Sequence, residues 1–110
     1  MKSETEQPRF GLKESVVQEI CRVFATHPLV DRVIIYGSRA KGNYRNGSDI
    51  DLTVQGEAVS LSEMMKIETE LDDLLLPYKI DLSLLHKISD TSLLEHIKRV
   101  GAVFYDSGTH

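Results

Sequence analysis

Cysteine occurs once in the 110 residues, and tryptophan not at all. The lone thiol, Cys21, excludes an internal disulfide and a cysteine-based zinc site. Apolar runs such as Leu74-Leu75-Leu76 are far too short to span a bilayer. The N-terminal MKSETEQPRF lacks the apolar stretch of a secretory signal, so residues 1–10 read as a flexible tail. These absences point to the cytoplasm. An excess of basic residues is missing too. The formal net charge is −4, so direct binding to a nucleic-acid backbone is not expected. What is present is 41% hydrophobic and 27% charged residues, the balance of a globular protein. The length fits one domain, over residues 11–106, with 107–110 as a short C-terminal tail. No repeat or low-complexity segment divides it.

The hydrophobic periodicity predicts α-β-(α)-β-α-β-α. Lys13 to Ala25 reads as a helix, with Val16, Ile20, Val23 and Phe24 at helical spacing, closed by His27-Pro28. Arg32 to Tyr36 is β-branched and ends at Gly37, so it reads as a buried strand. A helical turn can follow at Ser38 to Lys41. Asn43 to Gly47 is rich in turn formers. Asp49 to Gln55 alternates, with Asp49, Asp51 and Thr53 on one face and Ile50, Leu52 and Val54 on the other. Ser60 to Leu76 predicts a second long helix, with Ser60 and Glu63 as a capping box. Its stripe is read as Leu61, Met64, Met65, Glu68, Leu71, Leu74 and Leu75. Lys79 to Leu84 alternates again, with Asp81 facing outward. Asp90 to Val100 predicts a last helix, and Ala102 to Tyr105 a short edge segment. The fold class expected is α/β (α+β), a small mixed sheet packed with helices.

Two aspartates at i and i+2 of a strand project from the same face. Like charges that close repel in a partly dry site unless a cation lies between them. A bare D-x-D also fits the polar face of an edge strand. Asp81 sits on another predicted strand in the outward phase; if the two strands are neighbours, three carboxylates converge. Three hard oxygen ligands suit Mg²⁺ shared with nucleotide phosphates, and two such ions suit an in-line phosphoryl displacement. A lone strand Asp such as Asp81 is more often structural, so its role depends on the other two.

Other phosphate motifs are excluded. Gly37 to Gly42 has the four-residue gap of a P-loop, but Asn43-Tyr44 stands where Lys and Ser/Thr are required. No G-x-G-x-x-G exists for a Rossmann site. A calcium loop fails because its glycine is absent. What remains is Gly37, where a phosphate can approach the backbone, Ser38 as a donor, and a helix start that favours an anion. Arg39, Lys41 and Arg45 cluster nearby, either as a rim for anions or as a solvated turn. His27, His86, His96 and His110 share no ligand spacing and read as exposed or half-buried. Cys21 falls in the apolar stripe of the first helix, as a small hydrophobe rather than a nucleophile. Tyr36 and Tyr44 flank the glycine loop and suit either base stacking or plain packing and exposure.

The string G-S-R-A-K-G followed by S-D-I-D-L resembles the signature of the DNA polymerase β-like nucleotidyltransferase superfamily. It is most similar to the minimal nucleotidyltransferases, small antitoxin-type proteins encoded beside HEPN-domain toxins. The resemblance spans most of the chain and leaves no core position empty. By that resemblance, Gly37 and Ser38 hold the nucleotide triphosphate, and Asp49 and Asp51 bind metal. Asp81 completes the metal set and helps deprotonate the acceptor hydroxyl, while Arg39 occupies a commonly basic position that touches phosphate.

The resemblance implies a cofactor and a reaction: Mg²⁺, two ions, and AMP moved from ATP to a hydroxyl with release of pyrophosphate. The acceptor it implies is a tyrosine of a partner HEPN toxin, whose RNase activity AMPylation would block. Larger members carry a further domain that grips the acceptor. The length here leaves no room for one, so an outside acceptor is expected. Two other readings remain: an antitoxin that acts by binding alone, and nucleotidyl transfer to a small molecule such as an aminoglycoside.

Overall fold

The computed structural model describes residues 9–108. Within them the order is α1 (Glu14–Ala25), β1 (Arg32–Tyr36), α2 (Ser38–Lys41), β2 (Ile50–Gln55), α3 (Leu61–Asp72), β3 (Ile80–Leu84), α4 (Thr91–Val100) and β4 (Ala102–Asp106). A 3-10 turn, Leu85–Lys87, follows β3. The described residues form one four-stranded mixed sheet in the order β3-β2-β1-β4. β1 pairs antiparallel with both β2 and β4. β2 and β3 run parallel, which requires the crossover that α3 supplies. The α/β fold class is as the periodicity predicts.

The alternation of the strands sorts the two faces. Val33 and Ile35 of β1, Ile50, Leu52 and Val54 of β2, and Leu82 and Leu84 of β3 are buried. They form the core together with Val17, Ile20 and Phe24 of α1 and Ile67 and Leu71 of α3. α4 lies on the opposite face, where Gly101 at its end approaches Ile34.

α3 departs from its predicted stripe. Its buried residues are Ile67 and Leu71, with Met64 and Leu74 partly packed. Leu61, Met65 and Leu75 are exposed. The true row runs 64, 67, 71, 74; the reading mixed it with a neighbouring row one residue, about 100° of helix, away. The helix also ends at Asp72, before the expected Leu76. Half of the expected capping box forms: Ser60 Oγ accepts the Glu63 N–H at 3.1 Å. The Glu63 carboxylate turns instead to His27, meeting Nδ1 at 2.5 Å, while Glu70 meets Nε2 at 2.9 Å. His27 is buried rather than exposed or half-buried.

Of the expected N-terminal tail, residues 1–8 lie outside the described residues. Arg9 pairs with Glu14, and the Phe10 ring stacks at 6.1 Å from that of Phe104. Of the expected C-terminal tail, residues 109–110 lie outside the described residues. No helix among those described is long and apolar enough to cross a membrane.

Candidate active site

The sheet register brings the aspartates together. Tyr36 of β1 is opposite Asp51 of β2, and Asp51 is opposite Asp81 of β3. Strands lie about 4.8 Å apart, so Asp51 and Asp81 are immediate neighbours on one face. Asp49 immediately precedes β2, two positions from Asp51 and in the same phase. Below this row Ser83 donates to Thr53 Oγ1 at 2.9 Å, satisfying two hydroxyls under the acids.

Electrostatics records the crowding. Burial raises the Asp51 pKa above 3.8, and the charges of Asp81 and then Asp49 push it further, against a smaller lowering by His96. The Tyr36 hydroxyl is raised by burial, opposed by its Ser83 hydrogen bond and aided by Asp51 and Asp81. As placed, the described residues contain no group of three or more His, Cys, Asp or Glu side chains poised to hold a metal. The donor set itself, hard oxygens carrying unrelieved negative charge, fits a divalent ion such as Mg²⁺.

The glycine loop sits against these acids. Gly37 adopts φ 76° and ψ −155°, a conformation that glycine alone adopts readily. A β-carbon there would also collide with Asp51 Oδ2, so the loop and the acid share one space. Its carbonyl accepts the Lys41 N–H at 3.0 Å and opens α2. Ser38, half-buried, is the first residue of that helix. α2 has four residues, so its dipole is slight, and the donors near Ser38 matter more than the helix field.

Arg39 does not join the site. Its side chain is buried. Nε and Nη2 both donate to the Ser48 carbonyl, at 3.1 and 2.9 Å, and Nη1 donates to the Phe10 carbonyl at 2.9 Å. The Tyr44 and Tyr78 rings lie 5.3 and 5.0 Å from its Cζ, within cation–π range. The phosphate contact expected of Arg39 is replaced by anchoring of Ser48, the residue before Asp49. Lys41 and Arg45 are exposed.

His96 is the site residue that sequence spacing did not single out. From α4 its Nε2 accepts the Gly37 N–H at 3.2 Å, and its ring meets Tyr36 edge-on at 6.1 Å. No local pattern links residue 96 to residue 37; only the packing of α4 beside β1 does.

The model of the polymerase beta nucleotidyltransferase family matches residues 18–109. The chain belongs to this family. Its members are nucleotidyltransferases, and so is this chain. No curated protein sequence matches it. Among solved structures, a toxin–antitoxin complex with AMP-PNP is similar, with 21% identity and a TM-score of 0.66 over 88% of this chain and 76% of that one. The complex of a tri-AMPylated Shewanella oneidensis HEPN toxin with its MNT antitoxin matches at 18% identity and a TM-score of 0.63, over 84% and 71%. An MntA–HepT toxin–antitoxin structure matches at 18% and 0.63, over 84% and 72%. At such identities the likeness is one of fold.

Proposed function

We propose that this nucleotidyltransferase moves AMP from ATP to a hydroxyl of a partner protein, a tyrosine of a HEPN-type toxin, as the antitoxin of the pair. The observation that carries this reading is the Asp51–Asp81 register on parallel strands, with Gly37 packed against Asp51. The AMP-PNP complex and the AMPylated toxin among the similar structures support the nucleotide and the acceptor class.

Asp49, Asp51 and Asp81 would hold Mg²⁺, which supplies charge neutralisation at the phosphates. Gly37 leaves room for the triphosphate, and Ser38 donates to it. The acceptor oxygen attacks the α-phosphorus in line. A new P–O bond forms as the bond to the β-phosphate bridging oxygen breaks, and pyrophosphate leaves with that electron pair. Asp81, on the outer strand, takes the hydroxyl proton.

Incubation with ATP, Mg²⁺ and the HEPN-type partner should add the mass of one or more AMP groups to the partner. If the complex forms and inhibits but no transfer occurs with any divalent ion, the binding-only antitoxin replaces this reading. Transfer to an aminoglycoside but not to the protein would move the acceptor to a small molecule.

A further inference from the structure

We propose that His96 is a positioning residue for the nucleotide: by accepting the Gly37 N–H it fixes the turn from which Ser38 meets the phosphates. The inference rests on the nucleotide reading of the site but concerns a residue outside the family signature.

Gly37 is held from three directions. Its carbonyl enters α2 by accepting from Lys41, its α-carbon lies against the Asp51 carboxylate, and its N–H meets His96 Nε2. Tyr36 is paired with Asp51 in the β1–β2 ladder, and the His96 contact adds a hold on the Tyr36–Gly37 peptide from its N–H side. A glycine at φ 76° has neighbouring wells open to it, and rotation of this one peptide would swing Ser38 away from the acids. In this contact Nε2 is the acceptor of the Gly37 N–H. The ring is itself fixed. Tyr36 meets it edge-on, and the next residue, Ile97, is buried. The start of α4 is capped by Asp90, which accepts from the Ser92 and Leu93 N–H groups. The Gly37 N–H is thereby committed to protein, and Ser38 is the nearest donor left at the turn.

Two measurements on the full chain test this, on wild type, His96→Ala and His96→Gln. A glutamine carbonyl can replace Nε2 as acceptor. The first is amide exchange at Gly37 in nucleotide-free protein; the second is the Kd for ATP with Mg²⁺. His96→Ala should speed Gly37 exchange and raise the ATP Kd about fivefold, the effect of one ordinary hydrogen bond. His96→Gln should return both to within about twofold of wild type on the same basis. Unchanged ATP affinity in His96→Ala overturns the proposal, even if its melting temperature falls, because that pattern marks packing alone. A glutamine variant as weak as the alanine variant overturns it too. Wild type that binds no ATP removes both this inference and the nucleotide reading. ATP binding with the expected His96 pattern, but without AMP transfer, removes only the transfer reading.

Discussion

At the scale of single residues, Asp51 works against the fold that holds it. Asp51 has a folded pKa above its unfolded one, so its contribution to stability is full below pH 3.8 and lost as pH rises through the raised value. At neutral pH the ionised group is a net cost. Asp51→Asn should therefore melt higher than wild type in metal-free calorimetry, yet lose transfer by roughly a hundredfold or more, as expected for a lost metal ligand. Arg39 gives the opposite pattern. Its side chain serves two carbonyls and two rings, so Arg39→Ala should lower unfolding free energy by about 3 kcal/mol in urea titration. The acids were legible from the sequence because period-two phase fixes which side chains share a face. The direction of Arg39 was not, because a cation beside a glycine loop can turn either outward to phosphate or inward to carbonyls. The choice was made by Ser48 and Phe10, nine and twenty-nine positions away.

At the scale of elements, α3 was recognised, but its buried face only in part: Met64, Leu71 and Leu74 fall in the packed row as expected, and Ile67 was missed. The chain offers two leucine- and methionine-bearing rows one residue apart, and only the sheet selects between them. Ile67→Ala should cost about 2–5 kcal/mol by cavity formation, whereas Leu75→Ala should stay within about 0.5 kcal/mol of wild type, both by chemical denaturation. α3 is also tied to the end of α1 through His27. Burial alone would lower the His27 pKa, but hydrogen bonds and charge from Glu63 and Glu70 outweigh it and raise the pKa above 6.5. The sign follows. The clamp stabilises fully below pH 6.5 and is lost as pH rises through the raised value. Wild-type stability should fall over that window and the His27→Gln curve should be flatter there, as read from melting temperatures across pH. The His27 clamp was hidden because its partners lie 36 and 43 positions away.

At the scale of the whole molecule, the sheet order converts two separate motifs into one centre. The glycine loop leaves β1, Asp49 immediately precedes β2 and Asp51 lies on it, and Asp81 arrives only after the α3 crossover places β3 beside β2 in parallel register. Alternation showed which residues could converge. It did not show the register, which depends on the length and packing of α3, nor that α4 would bring His96 against the loop from the other side of β1.

Among the described residues, that order also puts Asp81 on a strand with a single hydrogen-bonded neighbour. Border strands open locally at lower free energy than the strands they flank. Warming should therefore silence transfer before the molecule melts: activity should decline several degrees below the calorimetric midpoint, with amides of β3 exchanging ahead of those of β1. Asp81, the acid proposed to take the proton, is then the first part of the candidate site expected to come loose and to return on cooling, a reversible thermal limit that stiffening β3 should raise.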